Sequence, residues 1–213
     1  MKNWNYLLIA LFLVVIAFFY FKANEPIPSY RDDSSIDPYQ DPIQVNGEYE
    51  PIIIKFRAGV FEITPVAEYK IAARVASKHS YYFGWSAKLS PIDLALTWGE
   101  LADAKYDKFI KYSQFNRYYI FQYNANSPLD KAYIQTHSSN HHIIPATTNV
   151  RNAIRKIKRK EIVFLEGYLV NIKGHYKGGE YWWNTSLTRQ DSGGGACELF
   201  YVTKVKMRNY VYE

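Results

Sequence analysis

The chain has 213 residues, enough for one ordinary domain plus an appendage and hardly for two. Its 48% apolar residues sustain a core, its 17% aromatic residues favour strands over helical bundles, and a single cysteine, Cys197, excludes an intramolecular disulfide. The net charge of +6 is uneven: residues 22–51 carry seven acidic and two basic side chains, whereas from Ile52 onward 23 basic face 13 acidic, so the domain is basic and favours anionic partners.

From Trp4 to Phe21 the chain is apolar and uncharged, just long enough for a transmembrane helix within residues 1–23. Trp4, Tyr6 and Tyr20 sit near its ends, where aromatic rings favour the membrane interface. A signal peptidase site needs small residues in an A-x-A-like pattern, and Phe21 stands where the first is wanted, two places before Ala23. The segment therefore reads as an uncleaved signal-anchor. Residues 24–51 hold five of the nine prolines among Asp and Ser, the composition of an extended tether.

Residues 52–213 read as one globular domain. Strands are expected near 52–57, 60–64 and 69–77, interrupted at Gly59 and Pro65. Ser90, Pro91 and Asp93 resemble a capping-box helix start, stopped by Gly99, and a second helix is expected over 103–112. Strands near 117–123 and 132–136 follow, then a helix from Thr148 to Lys158 with Val150, Ala153, Ile154 and Ile157 on one face. Residues 161–172 are the strongest strand; GHYKGGE forms a hairpin tip, and EYWWNTSLT and CELFYVTKVKM form closing strands. Strands with helices inserted between them predict an α+β domain on an antiparallel, barrel-like sheet.

The blocks LSPIDLALTWG, HSSNHHIIPA, FLEGYLV and SLTRQDSGGGACE, in this order, resemble an uncharacterised family of bacterial, mostly membrane-anchored proteins. There the blocks recur roughly as SPxDLxxxWG, HSxNxHxIPA and SLTRxDxGxGACE. The resemblance covers nearly all of the chain after the tether. It implies anchoring in a bacterial inner membrane but no mechanism. His141 departs from that pattern, which makes His142 the stronger candidate of the pair. With Lys2 and the α-amino group on one flank and acidic residues on the other, the N-terminus is expected in the cytoplasm and the domain in the periplasm.

Four groups of residues can carry chemistry. His137, His141 and His142 with Cys197 are zinc-type ligands, yet H-x3-H-H in an expected loop, without CxxC or HExxH, suits histidines that fix a turn, and no metal or cofactor is assigned. Cys197 with His142 or His137 as base, and the Gly193–Gly195 turn as oxyanion donor, forms a candidate catalytic pair. Against this, a lone cysteine opening an apolar strand is usually a small core residue. QDSGGG is similar to a serine-protease segment, but the domain is too small for that fold and a hairpin loop fits better. Arg151, Arg155, Lys156 and Arg159, with Lys158 and Lys160, form a basic face suited to anionic lipid heads; nucleic acid is disfavoured outside the cytoplasm, although FLEGYLV after a helix is similar to strands of OB-type barrels.

Binding roles are assigned to His137, Asn140, Arg189 and Asp191, the last two as an ion pair above Cys197. The leading expectation is a non-catalytic binding or assembly module at the membrane surface. Its partners would be the bilayer, through residues 4–21, and an anionic lipid or a membrane protein. The alternative is a small Cys/His hydrolase or metal-dependent enzyme using His137, His142 and Cys197.

Overall fold

The computed structural model describes residues 2–191 and 195–213. In chain order the elements are α1 (Lys2–Ala23), β1 (Tyr30–Arg31), β2 (Ile43–Asn46), β3 (Ile52–Phe56), β4 (Gly59–Ser80), α2 (Gly84–Leu89), β5 (Ile92–Thr97), β6 (Ile110–Phe115), β7 (Tyr118–Tyr123), α3 (Lys131–Thr136), β8 (Ser138–Pro145), α4 (Thr148–Lys156), β9 (Ile162–Tyr176), β10 (Gly179–Trp183), β11 (Glu198–Met207) and β12 (Tyr210–Tyr212). Within α1, the stretch Tyr6–Ala23 is long and apolar enough to cross a membrane, and none of it is buried in the protein.

The fold is α+β with one large, mostly antiparallel sheet and a separate β6–β7 hairpin. β4 pairs with β5 and β9, β5 with β8, and β9 with β11, all antiparallel; β8 and β11 then pair in parallel. These five strands close a hydrogen-bonded circuit. With α4 placed between β8 and β9, its connectivity is that of an OB-type barrel. β1, β2, β3, β10 and β12 extend from the edges, so the sheet as a whole is not a clear barrel.

Period-two alternation turns Tyr69, Leu94, Leu96, Ile143, Leu165 and Phe200 into one core. The apolar face of α4, formed by Val150, Ala153, Ile154 and Ile157, packs onto the same core as the spacing predicts. A second cluster, including Phe61, Ile63, Val170 and Leu199, lies under the extension formed by β3, the first part of β4, the end of β9 and β10. Gly167 allows β9 to touch β11 closely: a Cβ there would lie 2.0 Å from the Tyr201 carbonyl oxygen.

Several expectations are corrected. The stretch from Gly59 to Ser80 is a single strand, because Pro65 sits at a register shift where its missing N–H is tolerated. Residues 92–97 form a strand buried on both faces, so the capping-box signal at Ser90 is overridden by burial of Ile92, Leu94 and Leu96. Residues 103–112 form a short 3-10 turn and the start of β6, not a helix. Residues 132–136 belong to α3, whose N-cap Asp130 accepts a 2.7 Å hydrogen bond from the Tyr133 amide. Thr147, one residue before the expected cap, caps α4.

The segment 24–51 is not a free tether. β1 pairs with β12 and β2 with β4, Asp32 forms a 2.7 Å ion pair with Lys206, and the Trp98 indole donates to Asp41. Pro26 and Pro38 are buried and Tyr49 packs edge-on against Tyr168, so apolar contacts join backbone pairing and these polar contacts in holding the segment.

Candidate functional site

Within the block HSSNHHIIPA, Ser138–Pro145 form a fully buried strand, not a loop. Alternation then separates neighbouring histidines. His141 points into the circuit, stacked on Tyr69, its Nε2 lying 3.2 Å from the tyrosine hydroxyl. Burial, reinforced by the Arg189 charge, holds His141 well below the usual imidazole range. His142 points outward against Trp183, with ring centroids 4.6 Å apart.

Outside the circuit, Asp93 is fully buried and anchors a polar network. Its Oδ1 accepts a 2.6 Å hydrogen bond from Arg117, the second turn residue of the β6–β7 hairpin. Nδ1 of His142 lies 2.9 Å from Oδ2 of Asp93 but off the line of a directed hydrogen bond. The Arg117 guanidinium also donates to Ser86 Oγ and the Ser90 carbonyl and stacks 3.6 Å from the centre of the Tyr81 ring. Arg117 holds a left-handed backbone, φ 71°, that aims its carbonyl at Asn140.

The hairpin, the start of β8 and the chain before β11 enclose a cleft of about 460 Å³. Tyr118, Tyr119 and Phe121 form one wall; Arg189, Cys197 and Glu198 lie on the other. Arg189 pairs with Glu198 at 2.7 Å and donates to the Tyr69 hydroxyl at 3.0 Å. The expected Arg189–Asp191 pair is therefore replaced: Asp191, exposed, accepts from Ser186 Oγ at 2.7 Å. The buried Glu198 carboxylate, at the start of β11, is the nearer partner for the half-buried guanidinium. Burial pushes Glu198 up to about 7 against the pull of Arg189, and its Oε2 has no partner among the described residues.

Cys197 lies beside Asn140, whose amide nitrogen is 3.7 Å from Sγ; the other contact of the thiol is the Arg117 carbonyl at 3.9 Å. Burial pushes the thiol up to about 12. The hydrogen-bond partners of Cys197 include no histidine among the described residues. His137 ends α3, stacked 3.8 Å on Tyr133, with Nδ1 against the Tyr133 carbonyl and the Thr136 hydroxyl. Thus His142 and Cys197 share the outer face of adjacent strands but have different partners, while His137 stands apart from both. No group of three or more His, Cys, Asp or Glu side chains able to hold a metal occurs among the described residues. Ser192, Gly193 and Gly194, and with them most of the expected oxyanion turn, lie outside the described residues.

The four basic candidates on and after α4 divide. Arg155, Lys156 and Arg159 are exposed, with Lys156 2.6 Å from Glu25 and Arg159 donating to the Ala76 carbonyl. Arg151 is half-buried and lines a different groove. The sequence reading missed Asp93, Arg117 and Glu198 as site residues. A buried acid inside an apolar run was the available signal for Asp93 and Glu198; the hairpin arginine had none.

Compared with family models, with curated proteins and with solved structures, the chain matches none.

Proposed function

We propose that the chain is a membrane-anchored binding module. α1 holds it in the bilayer as a signal-anchor, the exposed cations Arg155, Lys156 and Arg159 face anionic head groups, and the cleft between the hairpin and β11 recognises a ligand or partner without chemistry. The observation that carries this reading is the state of the cleft's thiol: Cys197 is pushed up to about 12 and bonded by Asn140, while His142 sits against Asp93 and Trp183. A nucleophile needs a low pKa or a base within hydrogen-bond reach. Aromatic walls with a few polar groups are the usual make-up of a recognition pocket.

The link between the anchor and α4 supports the surface role. Ile27 exchanges two hydrogen bonds with Asn149, and Lys156 pairs with Glu25, so α4 is tied to residues just past the end of α1. At about 3.5 Å per residue, Ile27 lies within roughly 14 Å of that end. The resemblance to bacterial membrane-anchored proteins agrees with an inner-membrane location and a periplasmic domain. Against the rival hydrolase or metal enzyme stands the dispersal of His137, His142 and Cys197.

Hydrogen exchange of the full chain in nanodiscs tests the reading. α4 is expected to be protected by anionic over zwitterionic lipid, and reversal of Arg155, Lys156 and Arg159 to Glu to abolish that difference while His142→Ala leaves it intact. A triple reversal without effect contradicts the surface role.

A further inference from the structure

A groove of about 400 Å³ runs between β3, the end of α2 and the first turn of α4. Its floor is apolar, with Ile52, Ile54, Leu89 and Ile144. Three cations line it, Lys55, Lys88 and Arg151, and no acidic side chain does. None of the three has a carboxylate partner among the described residues, in a chain with 20 acids. The Arg151 Nε is buried with no hydrogen-bond partner among the described residues. One donor of a half-buried guanidinium is thus out of water without an acceptor, and the groove has the charge for a ligand it does not itself supply.

We propose that this groove is a binding site for one anionic phospholipid, with an acyl chain over the half-buried Ile52 and Ile54 and the phosphate held by Lys55, Lys88 and Arg151. An apolar floor with a one-sign rim suits an amphiphile better than a free phosphate, which would leave Ile52 and Ile54 half-exposed, or a neutral lipid, which would leave the cations unpaired. Position gives the lipid as the source. Thr148 lines both this groove and the neighbouring hollow against Ala23, Glu25 and Ile27, so the groove opens beside the segment that leaves α1. This step rests on the reading of α1 as an anchor. Exposed Arg155, Lys156 and Arg159 would meet the surface diffusely; the groove would hold a single lipid in a fixed place.

Native mass spectrometry of the full chain in detergent, given equal phosphatidylglycerol and phosphatidylcholine, tests the site. One phosphatidylglycerol is expected to be retained about tenfold over phosphatidylcholine and not displaced by inorganic phosphate. Arg151→Gln is expected to remove the preference, and so is Lys55→Glu with Lys88→Glu, two exposed positions that leave the fold intact. Arg155→Gln with Lys156→Gln is expected to keep it. Equal retention of both lipids, displacement by phosphate, or a preference untouched by the Lys55 and Lys88 reversals would overturn the site. Vesicle flotation tests the anchor separately: a chain that fails to float but still retains phosphatidylglycerol overturns the anchor and leaves the groove standing.

Discussion

The carboxylate of Asp93, wholly removed from solvent, accepts a 2.6 Å hydrogen bond from Arg117, a residue 24 positions later whose hairpin folds over the strand that carries the acid. The pair ties the β6–β7 hairpin to the five-strand circuit and sets one wall of the cleft. Removing one partner of a buried ion pair leaves the other charge uncompensated, which costs about 3–5 kcal/mol. Arg117→Met is therefore expected to lower stability by about that much in denaturant titration, and Asp93→Asn in the same chain to recover most of it. Equal losses from the single and double variants would show that the hairpin does not depend on the pair.

Glu198 makes stability depend on pH. Its folded pKa of about 7 lies above the ordinary carboxyl value of 4.5, so between those values the native protein binds a proton that the unfolded chain does not. This contribution is present below about pH 4.5 and is lost as pH rises through 7. Comparing melting curves of the native chain with Glu198→Gln across that window isolates it: the variant is expected to gain relative stability as pH rises.

Lys78 closes the end of α4. Its ammonium donates to the carbonyls of Ile154, Arg155 and Ile157 at 2.8–2.9 Å, the groups a helix leaves unpaired at its C-terminus. Lys78→Met keeps the apolar stem and removes the donors. It is expected to cost about 1–3 kcal/mol and to speed amide exchange at residues 154–157 more than elsewhere.

Much of the fold was legible where one face of an element is apolar and the other polar. The α4 stripe, the β9 strand and the hairpin tip at GHYKGG are in place because local pattern and tertiary burial agree. The pattern misled where a strand is buried on both faces. Residues 92–97 are mostly apolar and residues 138–142 all polar, so neither run alternates, and Ser90-Pro91 read as a helix start and HSSNHH as a loop. Their polar residues are buried against segments distant in sequence, Arg117 for Asp93 and Tyr69 for His141, and no local spacing encodes such partners. The blocks around His142 and Cys197 lie on neighbouring strands, β8 and β11, but the alternation of β8 gives each histidine a different environment.

The proposed recognition cleft holds its thiol half-buried beside Asn140, so the most direct measurement is the alkylation rate of Cys197 against pH on the full chain in detergent. A thiol pushed up to about 12 by burial is expected to stay inert from pH 6 to 9 until the domain unfolds, and His142→Ala to leave the profile unchanged. Rapid alkylation of the folded chain at pH 6, abolished by His142→Ala, would contradict the account and make the pair a nucleophile with its base.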